Sequence, residues 1–105
     1  PYVLKHYIDV VTLPGENWTW SRAAGYGTVL SGKKALAIYA SANPHDEIGP
    51  GADDFQKPFI RRWLRFIGIE EIQEITLAPT LSDPETVAGL RAEAIDAAKQ
   101  LASRF

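Results

Sequence analysis

An almost unbroken apolar run of strand length, Lys34–Ala40, sets the first requirement on the fold. It lies between Gly32 and the turn residues Ser41–Pro44, and such a bounded run is typical of a strand covered on both faces, as in a parallel sheet. A central strand of this kind needs a partner on each edge, because unpaired backbone groups and an apolar face would otherwise meet water. The complete fold must therefore contain a strand on each side of this one, together with covering helices.

Two segments around this strand have helical periodicity. Residues 1–11 place apolar side chains at helical spacing, and Pro1 stands in the first turn, where proline is tolerated. A second amphipathic helix begins near residues 54–57, since Pro58 fits only its first turn, and it ends at Gly68. Its polar face carries Arg61, Arg62 and Arg65. Its predicted core face consists of Phe55, Phe59, Trp63, Phe66 and Ile67.

The C-terminal third of the chain predicts one more strand and one more helix. Ile72, Ile75 and Leu77 indicate a second, more polar strand at an edge of the sheet. Ser82–Glu85 then has the Ser-x-x-Glu spacing of a capping box, with Pro84 at the first helical position. The apolar stripe of the last helix consists of Val87, Leu90, Ala94, Ala98, Leu101 and Phe105.

The connection between the first helix and the first strand is rich in turn residues. Trp18–Trp20 forms a short extended stretch with both indoles on one face, and residues 22–32 are predicted to be a loop. The element order is therefore helix, strand, helix, strand, helix, which indicates an α/β fold with a parallel sheet and right-handed crossovers. Two strands are too few for that architecture, so we expect the sequence to be a piece of a larger domain.

The amino-acid composition argues against several classes of protein. Eleven basic and 13 acidic side chains leave a net charge of -2, which argues against nucleic-acid binding, since phosphate recognition usually needs a basic surplus. Zero cysteines exclude a disulfide framework, a thiolate zinc site and a cysteine nucleophile. No apolar run approaches the roughly 20 residues that span a bilayer, and no secretory signal is visible. We expect a cytoplasmic protein with no membrane and no nucleic-acid partner.

Ser41–Pro44 is the candidate ligand loop, because it follows the C-terminal end of the buried strand, where ligands bind in open α/β sheets. Its backbone amides and the side chains of Ser41 and Asn43 could hydrogen-bond a heterocycle. The alternative is a plain strand-ending turn stabilised by Asn-Pro. Trp18 and Trp20 leave two alternatives open as well. They fill the chain's own core, or they form a stacking wall for a flat ligand or a subunit contact.

The other candidate motifs indicate no chemistry. Gly25–Gly27 lacks the preceding strand and following helix of a dinucleotide-binding loop. No serine has the context of a nucleophile elbow. The spacing of the polar residues after Pro44 matches neither a zinc motif nor a calcium loop, so a solvated acidic loop is predicted. That loop contains His45, Asp46, Glu47, Asp53 and Asp54. We therefore expect no catalytic side chain and no metal site.

Four segments of the chain resemble one known family. Residues 1–9 read Pro-x-x-Leu-Lys-x-Tyr-Ile-Asp, and Trp18–Trp20, Gly32–Ala35 and Phe66–Ile69 follow in order. Their order and spacing are similar to the C-terminal half of the FMN-dependent NADH:quinone and azo-compound oxidoreductases. These are flavodoxin-like homodimers that are also known as acyl-carrier-protein phosphodiesterases. The resemblance covers essentially the whole chain.

The resemblance implies a three-layer α/β/α flavodoxin-like fold with a parallel sheet. Residues 1–105 would form a partial domain with the third helix, fourth strand, fourth helix, fifth strand and fifth helix. The N-terminal half, which in the family carries the loop for the FMN phosphate, lies outside them. The implied cofactor-binding residues are Ser41, Ala42, Asn43 and Pro44, where the family's glycine pair is replaced. The implied substrate-binding residues are the aromatic Trp20 and Phe66.

The implied activity is the transfer of two electrons from NADH or NADPH through FMN to a quinone or an azo compound. The implied partner is a second copy of the chain or the missing N-terminal half, and the isolated chain is expected to be inactive. A second hypothesis belongs to a different class: a non-catalytic half-flavodoxin that serves as a dimerisation module. The altered residues Asn43 and Pro44 and the absent phosphate loop favour this second hypothesis for the isolated chain.

Overall fold

Three helices and four strands make up the computed structural model, which describes every residue from Pro1 to Phe105. The helices are α1 (Tyr2–Val11), α2 (Gln56–Ile67) and α3 (Pro84–Ala102), and the strands are β1 (Trp18–Ser21), β2 (Gly25–Thr28), β3 (Lys34–Ala40) and β4 (Glu71–Leu77). β3 and β4 pair in parallel, from Lys34 opposite Glu71 to Ala40 opposite Leu77. The predicted α/β class with a parallel sheet is thus confirmed. None of the helices is long and apolar enough to cross a membrane.

The core lies where α1 and α2 pack on one face of β3. Its buried cluster consists of Ile8, Tyr39, Ile60 and Leu64, each at most 8% exposed. Ala35 and Ile72 pack against this cluster from the sheet. Because side chains alternate along a strand, Ile75 points to the opposite face, where α3 contacts β4. Helices therefore cover both faces of the sheet, in three layers.

β3 is incompletely covered, as expected of a central strand without its second neighbour. Its only hydrogen-bonded partner strand is β4, so the backbone groups of its other edge have no strand to pair with. Ile38, in the middle of β3, is 65% exposed on the face opposite the core cluster. Both the free edge and the open face can accept further structure.

The prediction of a loop over residues 22–32 is wrong in its middle. Gly25–Thr28 is the strand β2, which pairs antiparallel with β1 and places Tyr26 opposite Trp20. The ring of Tyr26 also lies 5.7 Å from the ring of Trp18, centroid to centroid. Glycine is depleted in strands, so the local sequence favours a loop here. Cross-strand aromatic packing decides the conformation instead.

α2 begins and ends as predicted, but of its predicted core face only Ile67 is fully buried, with Trp63 partly buried against the core cluster. Its buried residues are Ile60, Leu64 and Ile67, while Phe55 is 81% exposed and Phe59 is 41% exposed. The aliphatic residues form an i, i+4, i+7 stripe that is as regular as the predicted aromatic one. Helical periodicity alone does not choose between two such stripes. The contact with Tyr39 and the sheet makes the choice.

α3 has Pro84 at its first position, as predicted, but a different cap. Asp83, and not Ser82, is the N-cap: its carboxylate accepts hydrogen bonds from the Thr86 hydroxyl at 2.6 Å and the Thr86 N–H at 2.9 Å. The predicted capping box of Ser82 and Glu85 is therefore wrong. The same two donors hold the pKa of Asp83 below its ordinary value. The apolar stripe of α3 has no fully buried member, and Phe105 lies beyond the helix end.

Gly68 ends α2 as predicted and joins it to the segment before β3. Its φ is +103°, in the left-handed region, and its N–H donates to the Arg65 carbonyl at 3.0 Å. A Cβ at this position would lie 2.1 Å from the Leu30 carbonyl oxygen, while the Leu30 N–H donates to the Ile67 carbonyl at 3.3 Å. Only glycine fits both the backbone conformation and the close approach.

The substitution Gly68→Ala is expected to destabilise the fold strongly. The left-handed backbone alone costs a side-chain-bearing residue about 1–2 kcal/mol, and the overlap with the Leu30 backbone adds to this cost. Urea unfolding, followed by the fluorescence of the three tryptophans, measures the effect. Gly89→Ala is the matched control: no atom outside its own helix lies near a Cβ there, and it should stabilise α3 by about 0.5–1 kcal/mol. Equal unfolding midpoints for the two variants would contradict the proposed end of α2.

Candidate functional site

Ser41 and Ala42, at the carboxyl end of β3, are fixed by the segment that follows β4. The Ser41 carbonyl accepts hydrogen bonds from the Thr80 N–H at 2.9 Å and from the Thr80 hydroxyl at 3.1 Å. The Ala42 carbonyl accepts one from the Leu81 N–H at 3.2 Å. The loop Ser41–Pro44 is therefore built on two neighbouring parallel strands. The sequence offered no sign of the anchoring role of Thr80, because it depends on a contact 39 positions away.

The same loop presents free hydrogen-bond donors to its surroundings. The N–H groups of Ala42 and Asn43 and the side-chain amide of Asn43 donate to no protein group, and all three residues from Ala42 to Pro44 are exposed. The Ser41 hydroxyl is already engaged, since it donates to the Asn43 carbonyl at 2.7 Å. Pro44 has no N–H. The donor set thus consists of two backbone groups and one amide side chain.

The acidic segment after Pro44 is held by cations and by its own backbone. The Asp53 carboxylate lies 3.1 Å from His45 Nδ1 and accepts the Asp46 N–H at 3.0 Å. These two hydrogen bonds, that with His45 first, lower the pKa of Asp53. Glu47 pairs with Arg61, and Lys57 lies 3.5 Å from Asp54. The structure assembles no group of three metal-ligating side chains from this segment or elsewhere.

Arg61 joins this segment to the sheet. Its Nε donates to both carboxylate oxygens of Glu74, at 2.9 and 3.0 Å, and its terminal nitrogens donate to Glu47. The hydrogen bonds to Glu74, followed by those to Glu47, raise the pKa of Arg61. The Tyr39 hydroxyl donates to the same Glu74 at 3.2 Å. Burial, followed by the charge of Glu74, raises the pKa of Tyr39 to about 12.

The two indoles of β1 have different environments. Trp18 belongs to an aromatic cluster with Tyr26 and Phe66, whose ring centroids lie 5.7 to 5.9 Å apart. The Trp18 Nε1 is buried without a hydrogen-bond partner. Trp20 is 60% exposed. Trp18 is therefore packed within the chain, in an aromatic cluster outside the buried core, while Trp20 has a free ring face.

The structure does not bring all the candidate site residues into one cavity. Phe66 lines a groove of about 390 Å³ between α1 and α2, together with Phe59 and Trp63. Ser41 and Pro44 line a separate cavity of about 120 Å³ at the carboxyl end of β3. Trp20 lines neither. The cofactor candidates and the substrate candidates thus lie on different surfaces of this chain.

Residues 1–102 match the model of a protein family described as having a flavodoxin-like fold. The chain belongs to this flavodoxin-like family. One relative is the FMN-dependent NADH:quinone oxidoreductase of Desulfotalea psychrophila, 38% identical over 98% of this chain and 50% of the relative. Another is FMN-dependent NADH:quinone oxidoreductase 9 of Burkholderia lata, 36% identical over 100% of this chain and 51% of the relative. The chain spans about half the length of the curated relatives it matches, and it fits their C-terminal half.

Two solved structures share the flavodoxin-like fold of this chain. The crystal structure of an FMN-dependent NADH-azoreductase from Bacillus anthracis strain Ames Ancestor, in complex with FMN, superposes with a TM-score of 0.73 at 26% identity. The match covers 96% of this chain and 49% of that one. An azoreductase from Bacillus anthracis strain Sterne gives a TM-score of 0.79 at 19% identity, over 100% of this chain and 50% of that one. The second likeness concerns the fold alone.

The ionisation of Tyr39 is expected to affect stability only at high pH. The folded phenol has a pKa of about 12 against an ordinary value of 10.0, so unfolding releases a proton between these two pH values. The free energy of unfolding should therefore fall as the pH rises through this window. Urea unfolding at a series of alkaline pH values measures the slope. Tyr39→Phe should reduce it, and the exposed control Tyr7→Phe should not. Equal slopes for both variants would contradict the raised pKa of Tyr39 in the folded chain.

Proposed function

We propose that this chain forms the C-terminal half of an FMN-dependent oxidoreductase that transfers two electrons from NADH or NADPH to quinones or azo compounds. The observation that carries the proposal is the exposed donor set of Ser41–Pro44 at the carboxyl end of β3. Ligands bind at this end of parallel strands in open α/β sheets. Relatives named as FMN-dependent NADH:quinone oxidoreductases match essentially the whole chain.

The residues of this loop fit one edge of a flavin. The pyrimidine edge of FMN carries carbonyl oxygens and the ring nitrogen N1, which accept hydrogen bonds from donors such as the N–H groups of Ala42 and Asn43, and a ring N3–H, which donates. The Asn43 side chain adds an amide that both donates and accepts. When bound, FMN supplies the redox chemistry, a hydride taken up from the nicotinamide and two electrons passed to the acceptor. The part of this chain is to bind and orient that edge.

Trp20 and Phe66 are proposed to line the acceptor site. Trp20 has the exposed, flat indole that stacks well on an aromatic ring. Phe66 is half-buried beside Trp18 and Tyr26, a contact that fixes the orientation of its ring. Because the cofactor candidates line a different cavity of this chain, we propose that the acceptor site is completed across a subunit boundary. The proposed partner is a second copy of the protein.

The FMN phosphate is proposed to be held outside residues 1–105. Phosphate groups in such folds are bound by several backbone N–H groups of a loop and a helix N-terminus. The N-terminus of α2 is already occupied, because Asp54 accepts the N–H groups of Gln56 and Lys57, both at 3.0 Å.

Since NADH is the proposed donor, we also propose that the protein acts in the cytoplasm, where this nucleotide is made.

A non-catalytic dimerisation module is the second candidate function. Two observations favour it: the Ser41 hydroxyl is consumed within its own loop, and Pro44 removes one backbone donor from the cofactor edge. The free edge of β3 and the exposed Ile38 would then serve only assembly. Flavin binding separates the two candidates.

The chain alone is expected to bind FMN weakly or not at all, because the phosphate contacts come from elsewhere. A chimera that joins the N-terminal half of the Desulfotalea psychrophila relative to residues 1–105 should bind FMN at micromolar concentration and oxidise NADH with a quinone. Quenching of flavin fluorescence during titration measures binding in both proteins. Saturable micromolar binding by the chain alone would overturn the proposed phosphate site. A folded chimera that binds no FMN would refute the oxidoreductase proposal in favour of the dimerisation module.

The chain is also expected to associate in solution. Each large apolar side chain left in water forfeits about 1.5–3 kcal/mol, against a total stability of roughly 5–15 kcal/mol for a domain of this size. Ile38, Tyr2, Val3 and Phe55 are all more than 60% exposed. Light scattering at low micromolar concentration should therefore show a dimer or a larger complex. A cooperatively folding monomer of 11.6 kDa would contradict this expectation.

A further inference from the structure

We infer that Arg61 is a positioning residue for the cofactor loop Ser41–Pro44, which it holds in place through Glu47. The inference rests on the proposed function, because it concerns the same loop. Arg61 does not touch the free donors of that loop. It acts on the segment that leads away from them.

The cofactor loop and the segment behind it are tied to the sheet at two places. The first is the pair of hydrogen-bonded contacts that Ser41 and Ala42 make with Thr80 and Leu81. The second is Glu47, which the guanidinium of Arg61 holds through two hydrogen bonds. The residues between these two anchors, 43–46, include the Asn43 donors. A shift of Glu47 would therefore move the loop relative to the end of β3.

An arginine is suited to this task because its planar group has five donors and can reach two carboxylates at once. One side of Arg61 binds Glu74 in the middle of β4, which is itself tied to Tyr39 of β3. The other side binds Glu47 in the loop segment. The loop segment is thereby held in a fixed position relative to the sheet as well as to α2. Lysine, with a single nitrogen, cannot make both bidentate contacts.

The other charged side chains near Glu47 hold the segment less firmly than Arg61 does. Lys57 Nζ lies 3.8 Å from Glu47 and 3.5 Å from Asp54, at the limit of an ion pair. His45 pairs with Asp53 inside the segment and does not reach the sheet. Arg61 is therefore the main link between the segment and β4. Arg65, on the same helix, is exposed and takes part in no ion pair of the chain, so it provides a matched control.

Amide hydrogen exchange in the full chain tests the link directly. The N–H groups of Asp53 and Asp54 both donate to the Asp46 carbonyl at 3.0 Å and report whether the segment is closed. Glu47→Gln and Arg61→Lys should speed their exchange by up to about fivefold, the factor that corresponds to the loss of an exposed ion pair. The exchange rates of the amides in β3 and β4 should not change. At those amides the two variants, the wild type and the control Arg65→Gln should all exchange at the same rate. Unchanged exchange at Asp53 and Asp54 would overturn the inference.

FMN affinity of the chimera tests the positioning role. Glu47→Gln and Arg61→Lys should each weaken FMN binding by roughly fivefold, with Arg65→Gln as the unaffected control, and the double variant should be no weaker than either single one. The free energy of unfolding of Glu47→Gln in urea should fall by no more than about 1 kcal/mol, the equivalent of a fivefold change, whereas a general loss of stability would lower it further. Glu47→Gln keeps Arg61 paired with Glu74, so it remains informative where an Arg61 variant fails to fold.

The two proposals fail in different ways. A wild-type chimera that binds no FMN refutes the proposed oxidoreductase, and the hydrogen exchange of the full chain still decides whether Arg61 closes the segment. A chimera that binds FMN equally well with Glu47 or Gln at position 47 refutes the positioning role of Arg61 and leaves the oxidoreductase proposal standing.

Discussion

The parallel pairing of β3 with β4 is the interaction on which the rest of this chain depends. It aligns the carboxyl ends of the two strands, so that the loop after Ala40 and the segment after Leu77 meet at one edge of the sheet. Tyr39 then packs under Ile60 and Leu64, and the same contact orients α2. Without this pairing there would be no surface for α1 or α2 to cover, and the candidate cofactor loop would have no second strand to anchor it.

The site follows from the sheet in two steps. The hydrogen bonds from Thr80 and Leu81 hold the start of the loop, and they exist because both strands end at the same level. The bridge from Glu74 through Arg61 to Glu47 then holds the following segment. Charge pairs of this kind stabilise little when exposed, but here Glu74 is half-buried and both carboxylates are bound bidentately, which makes the geometry specific. The positions of Ser41, Ala42 and Glu47 thus depend on the sheet, and the free donors of the candidate loop lie between these two anchors.

Much of the fold could be predicted because its signals are local. The apolar run of β3, the proline in the first turn of α2 and the glycine at its end each act within a few residues, and each prediction is confirmed. The errors share a different cause. β2 contains two glycines and forms through its packing on Trp18 of β1, and the buried face of α2 is chosen by Tyr39 from two equally periodic stripes. Contacts between elements decided both, and no local pattern contains them.

The features of the candidate site also fall into those that local sequence determines and those that depend on contacts between elements. The sequence by itself determined which residues are candidates: Ser41–Pro44 by residue type and position after a strand, which are local properties, and Trp20 and Phe66 through the resemblance to the family. Only the tertiary structure decided that the Ser41 hydroxyl is already engaged and that Trp20 is exposed while its neighbour Trp18 is packed. It also decided that an arginine of α2 ties the segment after the loop to β4. These outcomes depend on groups that lie far apart in the chain and meet only when the strands pair.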